Sequence, residues 1–398
     1  MNIPRSILAL AILFFSLYSN AADKLTVIHS LNPNAGDGSG PTGTLFMDKA
    51  GNLYGDSTSG VVFQLTSNGS GGWNYNVLST CCAYGLGGIV MDNAGNLYGT
   101  TFFGELFELS PTTSGPWTFS IPFTFSGSDA GIQSSLIIDA AGNLYGASSN
   151  GGPSNLGYVF ELSPTSGGWV LTHLHDFSGT DGAEGAGAAG LVPGVIMDSH
   201  GDLYGATYAG GASNAGVVFK LHKTASGWNE SILHVFTGAD GAYPDASLVM
   251  DASGNLFGTA SQGGPSNFGV VFEVMRTSTG WKSRDIHAFT GLGFDGAYPN
   301  APMVFDSAGN LYGITAGGGM TNECTVENAN GCGTAFELIP NGNTWKEVIL
   351  HNFKAQGDGG VPGGVIRDAN DNLFGGALFG GPFNNAGVIF ELSPTSAK

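Results

Sequence analysis

The segment Asp139-Ala140-Ala141-Gly142-Asn143-Leu144-Tyr145-Gly146 recurs in close copies along the chain, and this recurrence constrains the fold more than any other feature. Aligned on the leading aspartate, the copies begin at Asp48, Asp92, Asp139, Asp198, Asp251, Asp306 and Asp368, at intervals of 44, 47, 59, 53, 55 and 62 residues. Repeats of this period are too small to bury their own apolar faces, so they imply a stacked or radial array rather than a string of independent domains.

The third copy shows the whole unit. An apolar run, Ser135 to Asp139, leads through a turn to Asn143–Gly146; a glycine-rich loop follows, then Gly157 to Leu162, a second turn, and a last strand from Trp169 to Phe177. Four short strands per repeat is the content of a propeller blade. In the first turn, the aspartate can accept backbone N–H groups two residues on, and a glycine three residues later supplies the positive φ that closes the hairpin. Gly51, Gly95, Gly142, Gly201, Gly254 and Gly309 hold that place; the seventh copy has Asp371, where it or Asn370 must tolerate the left-handed conformation. The seven leading aspartates are therefore expected to be scaffold.

The two ends of the chain complement one another. Leu25 to Leu31, followed by Gly36-Asp37-Gly38 and Pro41, matches the end of a unit, as in Ile232 to Phe236 followed by Gly238, Asp240-Gly241 and Pro244. The last repeat runs through Gly387–Leu392 and then lacks a fourth strand. Pairing the surplus strand with the incomplete unit removes two exposed sheet edges. The expected fold is thus all-β: a seven-bladed β-propeller of four-stranded blades over residues 22–398, closed by an N-terminal strand that completes the last blade.

Strand alternation places Trp228, Ile232, His234 and Phe236 on one face of their strand and Leu233 and Val235 on the other. The histidine recurs as His29, His175, His234, His287 and His351, with Ser79 and Phe123 elsewhere, which reads as a packed position. Gln64, Glu108, Glu161, Lys220, Glu273, Glu337 and Glu391 share one place in the third strand; a site accepting both Glu and Lys reads as a solvated rim.

Residues 1–21 carry a basic start at Arg5, an apolar core from Ile7 to Leu17 and the small-residue site Ser19-Asn20-Ala21, the pattern of a cleaved export signal. No later apolar run approaches the ~20 residues that span a bilayer, and the few residues after the last strand leave no room for a C-terminal anchor. The expected location is secreted or extracytoplasmic, with the periplasm and the cell surface as alternatives. The formal charge of −19 and only 12 Lys and Arg argue against nucleic acid as a partner. Cys324 and Cys332 lie inside the long loop Gly317–Gly333, where a disulfide would staple a segment with no core of its own. Cys81 and Cys82 are adjacent; a vicinal disulfide, free thiols and interchain pairing all remain open.

The combination Gly-Asn-Leu-Tyr-Gly, Gly-Gly-x-x-Asn-x-Gly-x-Val-Phe-Glu-Leu, Leu-His-x-Phe and Gly-x-Asp-Gly-Ala-x-Pro resembles the GloVer tandem repeat of bacterial choice-of-anchor proteins, over residues 25 to 392. The resemblance implies an extracytoplasmic propeller-like array with no established reaction.

In such a propeller the loops joining strands two and three, and strand four to the next blade, emerge on one face. The second class carries Asp37, Asp129, Asp181, Asp240, Asp295 and Asp358, with Tyr243 and Tyr298 beside two of them. These are the candidate ligand-binding residues, as a partial ring of carboxylates suited to a cation or a hydroxyl-rich ligand; the competing reading is that each aspartate caps its own Asp-Gly turn. No metal or cofactor is expected, and calcium, which needs six to eight converging oxygens, is the remaining alternative. Equivalent aspartates lack the asymmetry a glycosidase pair needs, and neither a Gly-x-Ser-x-Gly elbow with plausible partners, His-Glu-x-x-His nor a phosphate loop is present. The expectation is a secreted, non-enzymatic binding or scaffold module for an extracellular glycan or protein, with no catalytic residues. The alternative is an extracellular enzyme of carbohydrate or lactone chemistry with its site at the axial mouth.

Overall fold

A computed structural model describes residues 24–80, 88–113, 115–129, 134–184, 193–319, 323–326 and 329–393. The expected export signal at residues 1–21 and the Cys81-Cys82 pair lie outside the described residues. Seven four-stranded antiparallel sheets form the blades. Blade 1 is Pro41–Met47, Leu53–Ser57, Val62–Ser67 and Trp73–Ser79; blade 3 is Ile137–Ile138, Leu144–Ser148, Tyr158–Thr165 and Gly168–Asp176. Blade 7 takes three strands, Gly360–Arg367, Leu373–Phe379 and Val388–Ser393, from the end of the chain and its outer strand, Lys24–Ser30, from the beginning. Leu25 lies opposite Leu392 and Val27 opposite Phe390 in that closing ladder.

Each blade-to-blade junction has its own apolar core. Tyr145 and Val159 of blade 3 pack against Val195, Leu203 and Phe219 of blade 4, and the ring closes where Phe374 and Ile389 of blade 7 and the following Leu31 meet Leu45, Leu53 and Phe63 of blade 1. The motif residues fill these cores. The second glycine of Gly-Asn-Leu-Tyr-Gly lies across the ladder from the phenylalanine of Val-Phe-Glu-Leu, as Gly258 opposite Phe272; a Cβ on Gly258 would sit 2.4 Å from that ring. The tyrosine packs edge-on against the tryptophan that opens the next blade's outer strand, Tyr98 on Trp169 at 5.7 Å and Tyr204 on Trp281 at 6.3 Å.

The leading aspartates hold their turns. Oδ1 of Asp48 accepts the N–H groups of Ala50 and Asn52, and Oδ2 accepts the Asn52 amide and the Tyr54 hydroxyl. In the seventh turn Asp371 itself takes the left-handed conformation, φ 67°.

Two expectations need correction. The shared third-strand position is no solvated rim: Glu273 and Glu337 are 4% and 5% exposed. Cross-strand pairing sets this residue opposite the motif tyrosine, so Gln64 donates to the Tyr54 hydroxyl and the Tyr312 hydroxyl donates to Glu337, while Glu273 pairs with Arg284 and Lys220 with Asp202. Either charge is accepted because a partner of opposite sign comes with it. Strict alternation also fails in the outer strands. The ladder pairs Phe219 with Ile232 and Val218 with His234, leaving Leu233 as an extra residue. This β-bulge turns His234 to the face opposite Ile232. The same irregularity precedes His29, His175, His287 and His351.

Candidate functional site

Because the four strands of a blade alternate in direction, the second-to-third loops and the blade-to-blade loops share one face of the ring. The bulge aims each outer-strand histidine across the cleft toward the next blade, and the blade-to-blade loop then brings an aspartate to it. His29 Nε2 lies 3.1 Å from Asp37, His175 3.2 Å from Asp181, His234 3.0 Å from Asp240, His287 3.6 Å from Asp295 and His351 2.8 Å from Asp358. Where Phe123 replaces the histidine, His173 reaches Asp129 from the opposite wall of the cleft, at 3.3 Å, while its other nitrogen meets Asp176 at 2.6 Å. All six sequence-predicted aspartates thus carry an imidazole, and no two of them share one.

Most of the same carboxylates also cap their turns. Asp181 accepts the N–H and hydroxyl of Ser178, Asp240 those of Thr237, and Asp295 those of Thr290; Asp37 accepts the Asn32 N–H and Asp358 that of Lys354. Burial pushes the carboxyls of Asp181, Asp240 and Asp295 upward, but their hydrogen bonds and the neighbouring imidazole outweigh it and hold them below the usual carboxylate range. Burial lowers His29 and His234 against the pull of their aspartates. The two tyrosines adopt positive φ, 58° each. Tyr243 stacks on Tyr208 at 5.0 Å, and Tyr298 is buried against Phe268.

Two clefts hold a second acidic group that sequence reading did not single out. Glu230, on blade 4, lies 3.7 Å from His175 of blade 3, and Glu347, on blade 6, lies 3.3 Å from His287 of blade 5. Each stands four residues before its own blade's histidine; at the corresponding place Tyr75 stacks on His29 at 4.0 Å and 7°. Burial, with nearby Asp181, pushes Glu230 up to about 7; burial, eased by His287 and reinforced by Asp295, does the same to Glu347. The sequence signal is Trp-x-Glu, found as Trp228-Asn229-Glu230 and Trp345-Lys346-Glu347. Its meaning depends on knowing which blade faces which.

The loop face also exposes large apolar side chains: Phe102 and Phe103 on blade 2, Leu292 and Phe294 between blades 5 and 6, and Phe379 and Phe383 on blade 7. At the seam of blades 7 and 1, a shallow pocket of about 490 Å³ is lined by Leu378, Phe379, Asn384, Asn385, Pro33 and Thr58, among others. The insertion of blade 6 adds the ribbons Gly296–Ala297 with Gly317–Gly318 and Thr325–Val326 with Ala329–Asn330, and a disulfide joins Cys324 to Cys332 with 5.0 Å between Cα atoms. Among the described residues, no helix is long and apolar enough to cross a membrane.

Comparison with solved structures finds β-propellers. The chain is similar to YCF48 from Cyanidioschyzon merolae (12% identity, TM-score 0.58, 95% of this chain and 100% of that one) and to the WD40 propeller domain of Doa1 (9%, TM-score 0.56, 93% and 97%). It is also similar to the extracellular domain of the putative one component system BT4673 from B. thetaiotaomicron (10%, TM-score 0.52), covering 93% of this chain but only 40% of that one. At these identities the likeness shows the fold alone. No curated protein matches the sequence. The profile of the Gloeobacter/Verrucomicrobia repeat matches residues 103–327, more than half of the chain. With that match and the seven motif-built blades together, the chain belongs to the Gloeobacter/Verrucomicrobia repeat family.

Proposed function

We propose that this protein is a secreted, non-enzymatic binding or scaffold module that recognises an extracellular glycan or protein through its loop face. The observation that carries the reading is the uneven distribution of exposed aromatic rings. Phe102, Phe103, Phe294 and Phe383 stand on loops of one face and Phe379 ends a strand there, while the opposite face spends its aspartates on its own turns. Exposed aromatics on a rigid scaffold supply contact area at little entropic cost, the usual anchor of a recognition surface. The pocket at the seam of blades 7 and 1 combines Phe379 with the amides of Asn384 and Asn385, a mixture suited to stacking on a sugar ring while bonding its hydroxyls. Secretion is supported by the leader at residues 1–21 and by the Cys324–Cys332 disulfide, a bond of oxidising compartments.

The test is a glycan array and an extracellular-protein capture with purified protein, beside a glycoside hydrolase, lyase and lactonase screen. Retained ligand without turnover, weakened at least ~10-fold by Phe379→Ser or Phe294→Ser in the manner of an interface anchor, is the expected result. Turnover of a glycan or lactone that Asp240→Asn or Asp295→Asn abolishes in a folded protein would replace the binder with the enzyme.

A further inference from the structure

The two clefts that gather a histidine, an aspartate and a glutamate are built alike. In the cleft between blades 5 and 6, Nε2 of His287, Oδ1 of Asp295 and Oε1 of Glu347 are each buried and meet no protein group in hydrogen-bonding geometry. They point at one another, with Nε2 3.3 Å from the glutamate oxygen and 3.6 Å from the aspartate oxygen. Between blades 3 and 4 the matching separations are 3.7 Å from His175 to Glu230 and 3.2 Å to Asp181. All donor atoms of each trio lie within 4.8 Å of one another.

We propose that each trio, His287–Asp295–Glu347 and His175–Asp181–Glu230, binds one zinc-class divalent cation that ties a blade to its neighbour. Ligand atoms ~2.05 Å from a tetrahedral zinc are separated by about 3.3 Å along each edge, and the imidazoles stand 3.2 to 3.7 Å from the carboxylates, so small shifts close the site. One neutral imidazole and two carboxylates balance a divalent charge, and three protein ligands leave a fourth position for water or a ligand oxygen on the loop face. The ligands are oriented from behind. Oδ2 of Asp295 is held by the Thr290 N–H and hydroxyl at 2.7 and 2.6 Å, leaving Oδ1 for the cleft; Oδ1 of Asp181 is held by Ser178 at 2.8 Å, and its Oδ2 faces the cleft, where it meets His175 Nε2 at 3.2 Å. Such outer bonds fix ligand geometry in metal centres. Without a cation, two carboxylates would crowd one half-buried cleft. In three other clefts a different residue stands at the glutamate's place. Ser283 takes the glutamate's place beside His234 and Asp240, Leu25 beside His351 and Asp358, and Tyr75 beside His29 and Asp37.

The experiment uses tag-free, chelator-treated protein, titrated with Zn²⁺ against a chromophoric chelator at neutral pH, with circular dichroism as the check on folding. The expected result is two equivalents bound, with a rise in thermal midpoint and a tetrahedral visible spectrum on Co²⁺ substitution. Glu347→Gln and Glu230→Gln each remove one equivalent, and the double variant removes both. Ser283→Glu adds a third, because His234 and Asp240 already stand 3.0 Å apart in that cleft; this gain does not depend on the fold tolerating a loss. Fewer than two equivalents in the parent protein, two equivalents retained by the folded double variant, or no third in Ser283→Glu would overturn the proposal.

Discussion

Asp56 gives the sharpest test of how this scaffold handles charge. It stands near the end of the second strand of blade 1, is 3% exposed, and has Oδ1 accepting the Thr42 hydroxyl at 2.5 Å while Oδ2 is buried without a protein donor. The other six blades place Thr100, Ala147, Ala206, Thr259, Ile314 and Gly376 there. Burial, countered by the Thr42 hydroxyl and a backbone N–H, pushes the carboxyl from 3.8 to about 6. A raised folded value means that the favourable contribution of the protonated acid is complete below 3.8 and is lost as pH rises through 6. At ~1.4 kcal/mol for each tenfold gap, ionised Asp56 costs the fold ~3 kcal/mol at pH 8. Asp56→Thr, the residue of two sister blades, should recover that amount at pH 8 and almost none at pH 4. With an unfolding entropy of ~2.1 cal/mol/K per residue over about 370 residues, the gain at pH 8 is ~4 °C in Tm. Calorimetric or urea-unfolding curves of parent and variant at the two pH values measure it. Parallel shifts at pH 4 and pH 8, or a variant less stable at pH 8, would refute the assignment of the penalty to a buried charge.

Three further outcomes follow from the packing. Gly258→Ala drives a methyl into Phe272 and Leu248, at 2.4 and 2.7 Å, and should destabilise by ~1–3 kcal/mol through overpacking, read as a lower urea midpoint with an unchanged slope. Removing residues 24–31 strips the outer strand of blade 7 and the fully buried Leu31; Leu31 alone is worth ~2 kcal/mol, so the midpoint should fall and recover when the strand is supplied as a peptide in trans. Asp139 is held below the usual carboxylate range because its bonds to Asn143, Tyr145 and Ala141 outweigh burial. Its contribution is present above 3.8 and lost as pH falls, so Asp139→Ala should cost ~1–2 kcal/mol at neutral pH and progressively less on acidification, measured by urea unfolding at pH 7 and pH 3.

The repeats made the architecture legible because a propeller writes its geometry once per blade. Seven equivalent Asp-x-x-Gly turns and the split last unit specify blade number and closure, and Leu25 opposite Leu392 is what that reading requires. Two things escaped it. A β-bulge has no residue signature: Leu233 and Leu174 look like any other apolar strand residues, yet each reverses the face of the histidine that follows. Counting by twos therefore assigned His234 to the wrong side. The second is the relation between blades. The aspartate of each candidate site is visible in its own repeat, but its functional neighbours come from the histidine before it and, in two clefts, from a glutamate on the next repeat, as far away in sequence as Glu230 is from His175. Equivalent positions in consecutive repeats look redundant when stacked in an alignment. In the ring they are opposite walls of one cleft, so a change in a single repeat, Glu347 where Ser283 stands in another, alters the chemistry of the cleft shared with the preceding blade. A cleft of this propeller is accordingly defined by two repeats read together.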